Sequence, residues 1–382
     1  MIKEKEILSK VDEESTVALL QKLIQTVTTN PPAEELTLAM WVSEYLKKSG
    51  LDVEILPFEG KRANVLARVK GSGSGPALIF SAHFDTVSAG EIPWRFDPFS
   101  GTVHERRVYG RGAADMKGGM AAMLKAAEIL SKEKMNFRGD LLLVLTSGET
   151  SDCVGAKRLI QEQRIKNVSA MVVSEPTGLD VYVAEKGALW IRASTQGRVA
   201  HGSMPEHGEN AILKMAKFLL KLESFRVNGS HPLLGRPSIS VNLIRGGVAI
   251  NVIPDKCEIE LDVRLLPDQN PEQVLESLRQ LGGREVELSV IDFKKPVVTD
   301  VSNPFVKVAI DSVAQITGKV PTPSGVAYYT DAYVLANSLN IPMVIIGPAD
   351  THMTHQHDEY VEIDRLVDAV KIFILIAMRT LG

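Results

Sequence analysis

The chain has 382 residues, 45% of them hydrophobic and 24% charged, with a formal net charge of -4. That length exceeds the usual size of one core and predicts two domains, and the mild negative charge without a long basic tract argues against a nucleic-acid partner. No apolar run approaches the roughly 18 residues of a membrane span, and the two cysteines, Cys153 and Cys257, lie outside any CxxC spacing, which fits a reducing cytoplasm.

The opening "MIKEKEILSKVDEEST" is charged and lacks the apolar core of a secretory signal, so a soluble cytoplasmic protein is expected. An amphipathic helix is predicted near Val17–Ile24, broken at Asn30-Pro31-Pro32. Strand-like runs follow in "LDVEILPF", "NVLARV", "ALIFSAHFD", "DLLLVLTSGE" and "SAMVVSE", with helix-like segments between several of them, notably Gly119–Leu130. Buried strands alternating with helices predict a mixed, largely parallel α/β sheet flanked by helices. After Tyr182 the order becomes strand, helix, two strands, helix, strand ("LWIRASTQG", "NAILKMAKFLLKLESF", "SISVNLIRGG", "KCEIELDVRLLP", "NPEQVLESLRQL", "EVELSVIDF"), that of a ferredoxin-like α+β unit. Past Lys295-Pro296 the α/β pattern resumes with helix Pro304–Ile316, strand "IPMVIIG" and a helix from Ile363. The expected organisation is an α/β domain over 1–185 and 297–382, interrupted by an α+β domain over 186–296. "GSGSG" at 71–75 fits a turn, not a dinucleotide fingerprint or a nucleophile elbow.

In open α/β sheets, ligands bind beyond the carboxyl ends of the strands. There the chain places His83 and Asp85, Glu149, Glu175, and a loop with Asp350, His352, His355 and His357; Asp115 stands in the glycine-flanked loop "GRGAADMKGGM". Taken singly, a carboxylate at a strand end is more often solvated than catalytic, and a lone histidine is more often an ordinary hydrogen-bonded residue. Four strand ends that all deliver oxygen or imidazole ligands without thiolate point to a catalytic Zn²⁺ site, or to Co²⁺ or Mn²⁺. His83 and Asp85 are two apart on a strand, so the Asp85 carboxylate is expected to accept the second imidazole N–H.

"SAHFDTV", "GRGAADMKGG", "SEPTG", "HGSMPEHGENAI" and "HQHDEYV" resemble the co-catalytic zinc amidohydrolases and peptidases, in the family's order and over nearly the whole chain. That family includes acetylornithine deacetylase, succinyl-diaminopimelate desuccinylase, aminoacylase and the glutamate carboxypeptidases. The resemblance implies that the inserted domain is a lid and dimerisation domain. It assigns His83, Asp115 and Glu175 to one metal, with Asp115 bridging to a second, which Thr150 in place of a family acid makes the weaker site here. Of the late histidines it selects His355 as ligand, four before the marker Glu359. Glu149 is implied as general base on metal-bound water, and His201 as a stabiliser of the tetrahedral oxyanion, in dimers from the partner subunit.

The family has two consecutive acids where this chain has Glu149 and Thr150, so the base is present and a ligand of the second metal is missing. An alignment slipped by one residue makes Glu149 the ligand and leaves no base; it requires an insertion before Gly155. Asp152 is a further acid close to this turn.

The family cleaves an amide beside a free carboxylate, and Arg264 resembles its carboxylate-binding arginine. Asn242 and the "SGVAYYTDA" loop around Gly325 are lesser candidates, and an ion pair between Arg264 and Asp262 is the plain structural alternative. Lys117 and Lys186 are read as structural. The leading expectation is a homodimeric N-acyl-amino-acid deacylase; a dipeptidase or carboxypeptidase on the same scaffold comes second. A non-catalytic binding protein is third, disfavoured because such a protein has no need of Glu149 or His201.

Overall fold

The computed structural model describes residues 2–382, which divide into two compact units. The first comprises the chain up to Val183 together with Val298–Ser324 and Thr330–Gly382; the second comprises Ala184–Val297 and Gly325–Tyr329. The short segment Gly325–Tyr329, expected in the α/β domain over 297–382, is thus part of the second unit.

The first unit is built on a nine-stranded sheet. Its order is Asp52–Phe58, Arg62–Val69, Leu141–Thr146, Ala77–His83, Val168–Val173, Met343–Ile345, Tyr182–Glu185, Val297–Val298, with Ser324–Val326 also paired to Tyr182–Glu185. Ala77–His83 runs parallel to both of its neighbours, and Met343–Ile345 runs parallel to Val168–Val173. Arg62–Val69 pairs antiparallel on both sides. Ala77–His83 and Leu141–Thr146 are buried at every position, as continuous apolar runs require when both faces of a sheet are covered. Helix Lys117–Lys132 packs against helix Ile363–Leu381, and Phe80 meets Phe373 with ring centroids 5.5 Å apart. Among the described residues, no helix is long and apolar enough to cross a membrane.

A small three-stranded sheet, in the order Tyr360–Glu362, Arg107–Tyr109, Val103–His104, was not foreseen from the sequence. It ties the segment after the late histidines to the segment before Asp115.

In the second unit, strands Ser238–Gly246, Lys256–Leu265, Gly187–Gln196 and Val286–Lys294 form an antiparallel sheet in that order. Leu189, Ile191, Ile259, Leu261 and Val263 on one face pack with Phe218 and Leu278 of helices Ala211–Ser224 and Pro271–Gly282. Asn210 and Asn270 cap these helices by accepting the N–H groups of Leu213 and Glu272, the role that an Asn before a helical run predicts.

Candidate metal centre

The neighbouring parallel strands Leu141–Thr146, Ala77–His83 and Val168–Val173 end side by side, which brings Glu149, His83 and Glu175 together. Asp115 arrives from the loop before helix Lys117–Lys132. That helix comes in closely because Gly119 carries no Cβ, which would stand 2.1 Å from the Ser174 carbonyl oxygen. His83 Nε2 then lies 3.2 Å from Asp115 Oδ1 and 3.3 Å from Glu175 Oε1, with Glu149 Oε2 farther away at 4.0 Å. Donor atoms of His83, Asp115 and Glu175 all fall within 4.8 Å of one another.

Three observations fit a cation at this point. His83 Nδ1 is 2.8 Å from the Asp85 backbone carbonyl, which can only accept, so Nδ1 carries a proton and Nε2 is the nitrogen that faces the two carboxylates. Asp115 Oδ1 is buried and takes no hydrogen bond. Burial and then the charge of Asp115 push the Glu175 carboxyl up to about 7 against the opposing pull of His83, the signature of acids crowded together without a compensating charge.

Asp115 offers its other oxygen to His355, whose Nε2 lies 3.3 Å from Oδ2. The two oxygens of Asp115 therefore face two different histidines. His355 has φ 62° and a side chain 55% exposed, so this second position lies toward solvent. Behind it stands Glu359, fully buried, which accepts the backbone N–H groups of Gly112, Ala114 and Asp115 at 3.1, 2.7 and 3.0 Å and is ion-paired with Arg111. Known from the sequence only as a marker, Glu359 is the residue that shapes the Asp115 loop. Lys117 is structural, its Nζ donating to the carbonyls of Leu23 and Thr26.

The Asp85 carboxylate differs from the sequence expectation. It stands 3.7 Å from His83 Nδ1, and the imidazole N–H goes instead to the Asp85 carbonyl. The reason is that His83 is the last residue of its strand, so the same-face rule no longer holds two residues on. The carboxylate clamps the turn that carries the base. Its Oδ1 accepts from the N–H groups of Gly148 and Glu149 at 2.8 and 3.1 Å; its Oδ2 accepts from the N–H and hydroxyl of Thr150 at 3.0 and 2.6 Å. Asn30 Nδ2 donates to Thr150 Oγ1 and Ser151 Oγ, and Arg62 donates to Asn30 Oδ1 and Ser151 Oγ. Burial raises the Glu149 carboxyl well above its ordinary range, His83 opposes this, and Glu175, Asp331 and Asp85 add to the rise. Asp331, buried and hydrogen-bonded to Thr146, is another acid of this region that the sequence did not single out.

The remaining candidates belong to the second unit. His201 is exposed on the short strand Ala200–His201, its Nδ1 2.8 Å from Ser203 Oγ. Asn242 sits at a register shift between Val241 and Leu243, a bulge that re-aims its side chain. Arg264 Nη2 is 2.9 Å from Asp262 Oδ2 and its guanidinium lies over the Tyr329 ring, so the plain ion pair is present. Gly325 is a packing position, since a Cβ there would come within 2.6 Å of Leu234 Cδ2. Lys186 Nζ donates to the Arg236 carbonyl.

Comparison with known proteins agrees with this arrangement. The chain is 28% identical to the probable succinyl-diaminopimelate desuccinylase of Staphylococcus aureus (strain MRSA252), over 96% of this chain and 97% of that protein. It is 31% identical to the acetylornithine deacetylase of Buchnera aphidicola subsp. Acyrthosiphon pisum (strain Tuc7), over 78% and 79% of the two chains. Its fold matches the Bacillus subtilis YXEP protein, described as a dinuclear metal-binding peptidase, with a TM-score of 0.74 at 17% identity over 97% of this chain and 98% of that one. Residues 79–379 match the sequence profile of peptidase family M20/M25/M40; the chain belongs to that family and is a metal-dependent amidohydrolase.

Proposed function

We propose that the protein removes the acyl group from an N-acyl amino acid by hydrolysis, with His83, Asp115 and Glu175 holding a divalent ion and Glu149 acting as general base. The observation that carries this reading is the separation of roles around His83. Asp115 and Glu175 converge with it, while Glu149 stands outside that group on a turn clamped by Asp85. This favours Glu149 as base over the slipped alignment that makes it a ligand. An imidazole and two carboxylates without thiolate suit Zn²⁺, with Co²⁺ or Mn²⁺ as substitutes.

When bound, such an ion supplies Lewis acidity to the scissile carbonyl and to water. Glu149 takes the proton from the attacking water and hands it to the leaving amine nitrogen. The backbone N–H groups of Gly148, Glu149 and Thr150, spent on Asp85, keep the base from swinging into the ligand set. Arg264 is assigned to the substrate carboxylate, in exchange for its bond to Asp262, with Asn242 as a neutral hydrogen-bonding partner.

His201 steadies the oxyanion of a second copy's substrate, so the working form is a homodimer joined through the second unit. Among the described residues, strand Ser238–Gly246 ends its sheet without an outer partner and exposes Val241, Leu243 and Ile244, and helix Ala211–Ser224 exposes Leu213 and Leu220 one heptad apart. Cys153 and Cys257, both buried and not joined in a disulfide, suit a cytoplasmic setting.

The deciding experiment is hydrolysis of acetyl-, succinyl- and dipeptide substrates with added Zn²⁺, Co²⁺ or Mn²⁺. Turnover of acyl-amino acids over dipeptides supports the deacylase; the reverse preference makes the protein a dipeptidase on this scaffold.

A further inference from the structure

We infer that this chain holds one divalent ion tightly, at His83, Asp115 and Glu175, and that the position between Asp115 and His355 is a weak site. Thr150 and its polar neighbours hold the turn there without offering an ion a third ligand. The inference rests on the metal-dependent reading above and concerns only the second position.

Asp115 Oδ2 and His355 Nε2 supply two donors at 3.3 Å. Among the described residues, the one group of three or more convergent His, Cys, Asp or Glu donors is His83, Asp115 and Glu175. Thr150 does not complete a second set. A hydroxyl has one proton and two lone pairs; the proton is committed to Asp85 Oδ2 at 2.6 Å and a lone pair to Asn30 Nδ2 at 3.1 Å. The next acid in the turn, Asp152, is ion-paired with Lys157 at 2.7 Å.

Charge points the same way. Two carboxylates neutralise a dication at the first position. A histidine, a hydroxyl and a share of one carboxylate leave most of the ion's charge uncompensated at the second. Behind Thr150, through Asn30, stands the Arg62 guanidinium, its side chain only 11% exposed and ion-paired at 3.6 Å with Glu35, a buried acid. It is packed so tightly under Gly148 that a Cβ there would lie 2.6 Å from Nη1. Already paired with Glu35, it links Asn30 and Ser151 into the turn, which an ion would otherwise have to cross-link. The YXEP protein is described as dinuclear; here the residues around the second position do not fit a tightly held ion.

Zinc per subunit, measured by elemental analysis after exhaustive dialysis of the zinc-loaded protein, tests this. The expected count is one. Titration of the metal-free protein with Co²⁺, followed by visible absorption, should show a second event at least about 10²-fold weaker, as loss of a ligand contact implies. His355→Ala should still retain one ion, and Thr150→Glu should raise the tight count toward two. Two ions held equally tightly by the unmodified protein overturn the inference; Glu35→Gln and Asp152→Asn then show which acid replaces the missing ligand. A count of zero overturns the metal reading itself. Should Thr150→Glu fail to fold by circular dichroism, the count in the unmodified protein and in His355→Ala decides alone.

Discussion

Glu149 serves two partners at once: its N–H donates to Asp85 Oδ1 at 3.1 Å, while its carboxylate stands 4.0 Å from His83 Nε2. Glu149→Gln keeps the backbone bond and the side-chain volume but removes the basic oxygen. Turnover should fall by about 10²–10⁴-fold, with zinc content unchanged by elemental analysis. Loss of zinc with activity partly kept would instead make Glu149 a ligand. The residue types of this site were legible in the sequence because strand ends in an α/β sheet are a known place for ligands. The partner of Asp85 was not, because it depends on where strand Ala77–His83 stops. Nor was the role of Glu359, whose burial is decided by Arg111 and by loop N–H groups far away in the chain. A charged residue declares its burial only through partners that local pattern does not show.

Helix Lys117–Lys132, which carries the Asp115 loop at its start, is anchored near its other end by Glu128. This carboxylate accepts from Lys125 at 2.7 Å, from Lys132 and from the Tyr45 hydroxyl. Burial alone would raise the Glu128 carboxyl, but the bonds from Lys125, Lys132 and Tyr45 outweigh it and bring the group down to about 2 from 4.5. A carboxyl depressed in the folded state stabilises it above the unfolded value, and that stability is lost as pH falls from about 4.5 toward 2. Glu128→Gln should therefore cost roughly 3 kcal/mol in chemical denaturation at pH 7 and less than half of that at pH 3. A difference independent of pH would show that the carboxylate charge contributes nothing. Long helices and buried strands were readable from periodicity, but the sheet of Val103–His104, Arg107–Tyr109 and Tyr360–Glu362 was not. Strands of two or three residues are too short to carry an alternation.

For the whole molecule, the proposed dimer predicts a measurable exchange of subunits. Leu213 and Leu220 are 62% and 71% exposed on one helix face, an unusual cost for a monomer to carry. Light scattering should give twice the chain mass, and Leu220→Lys should shift it toward the monomer and lower activity together. A monomeric variant with full activity would remove the role given to His201. The change from continuous buried runs to alternating strands after Tyr182 is a change of hydrophobic period, which a sequence can carry. The passage of Gly325–Tyr329 into the second unit left no such trace, because so short a segment has no period of its own.

Strand Met343–Ile345 pairs with Val168–Val173 on one side and with Tyr182 on the other. On the ribosome, His83, Asp115, Glu149 and Glu175 emerge long before this strand does. Until it arrives, that edge of Val168–Val173 has no partner, and the nascent chain carries these four residues beside an open strand edge. Synthesis that stalls or is cut short before residue 343 thus yields a product with all four residues but an unfinished sheet, prone to accept a strand from another copy. Translation from end to end, more than the arrival of His83 and its neighbouring acids, sets when this enzyme becomes safe to release.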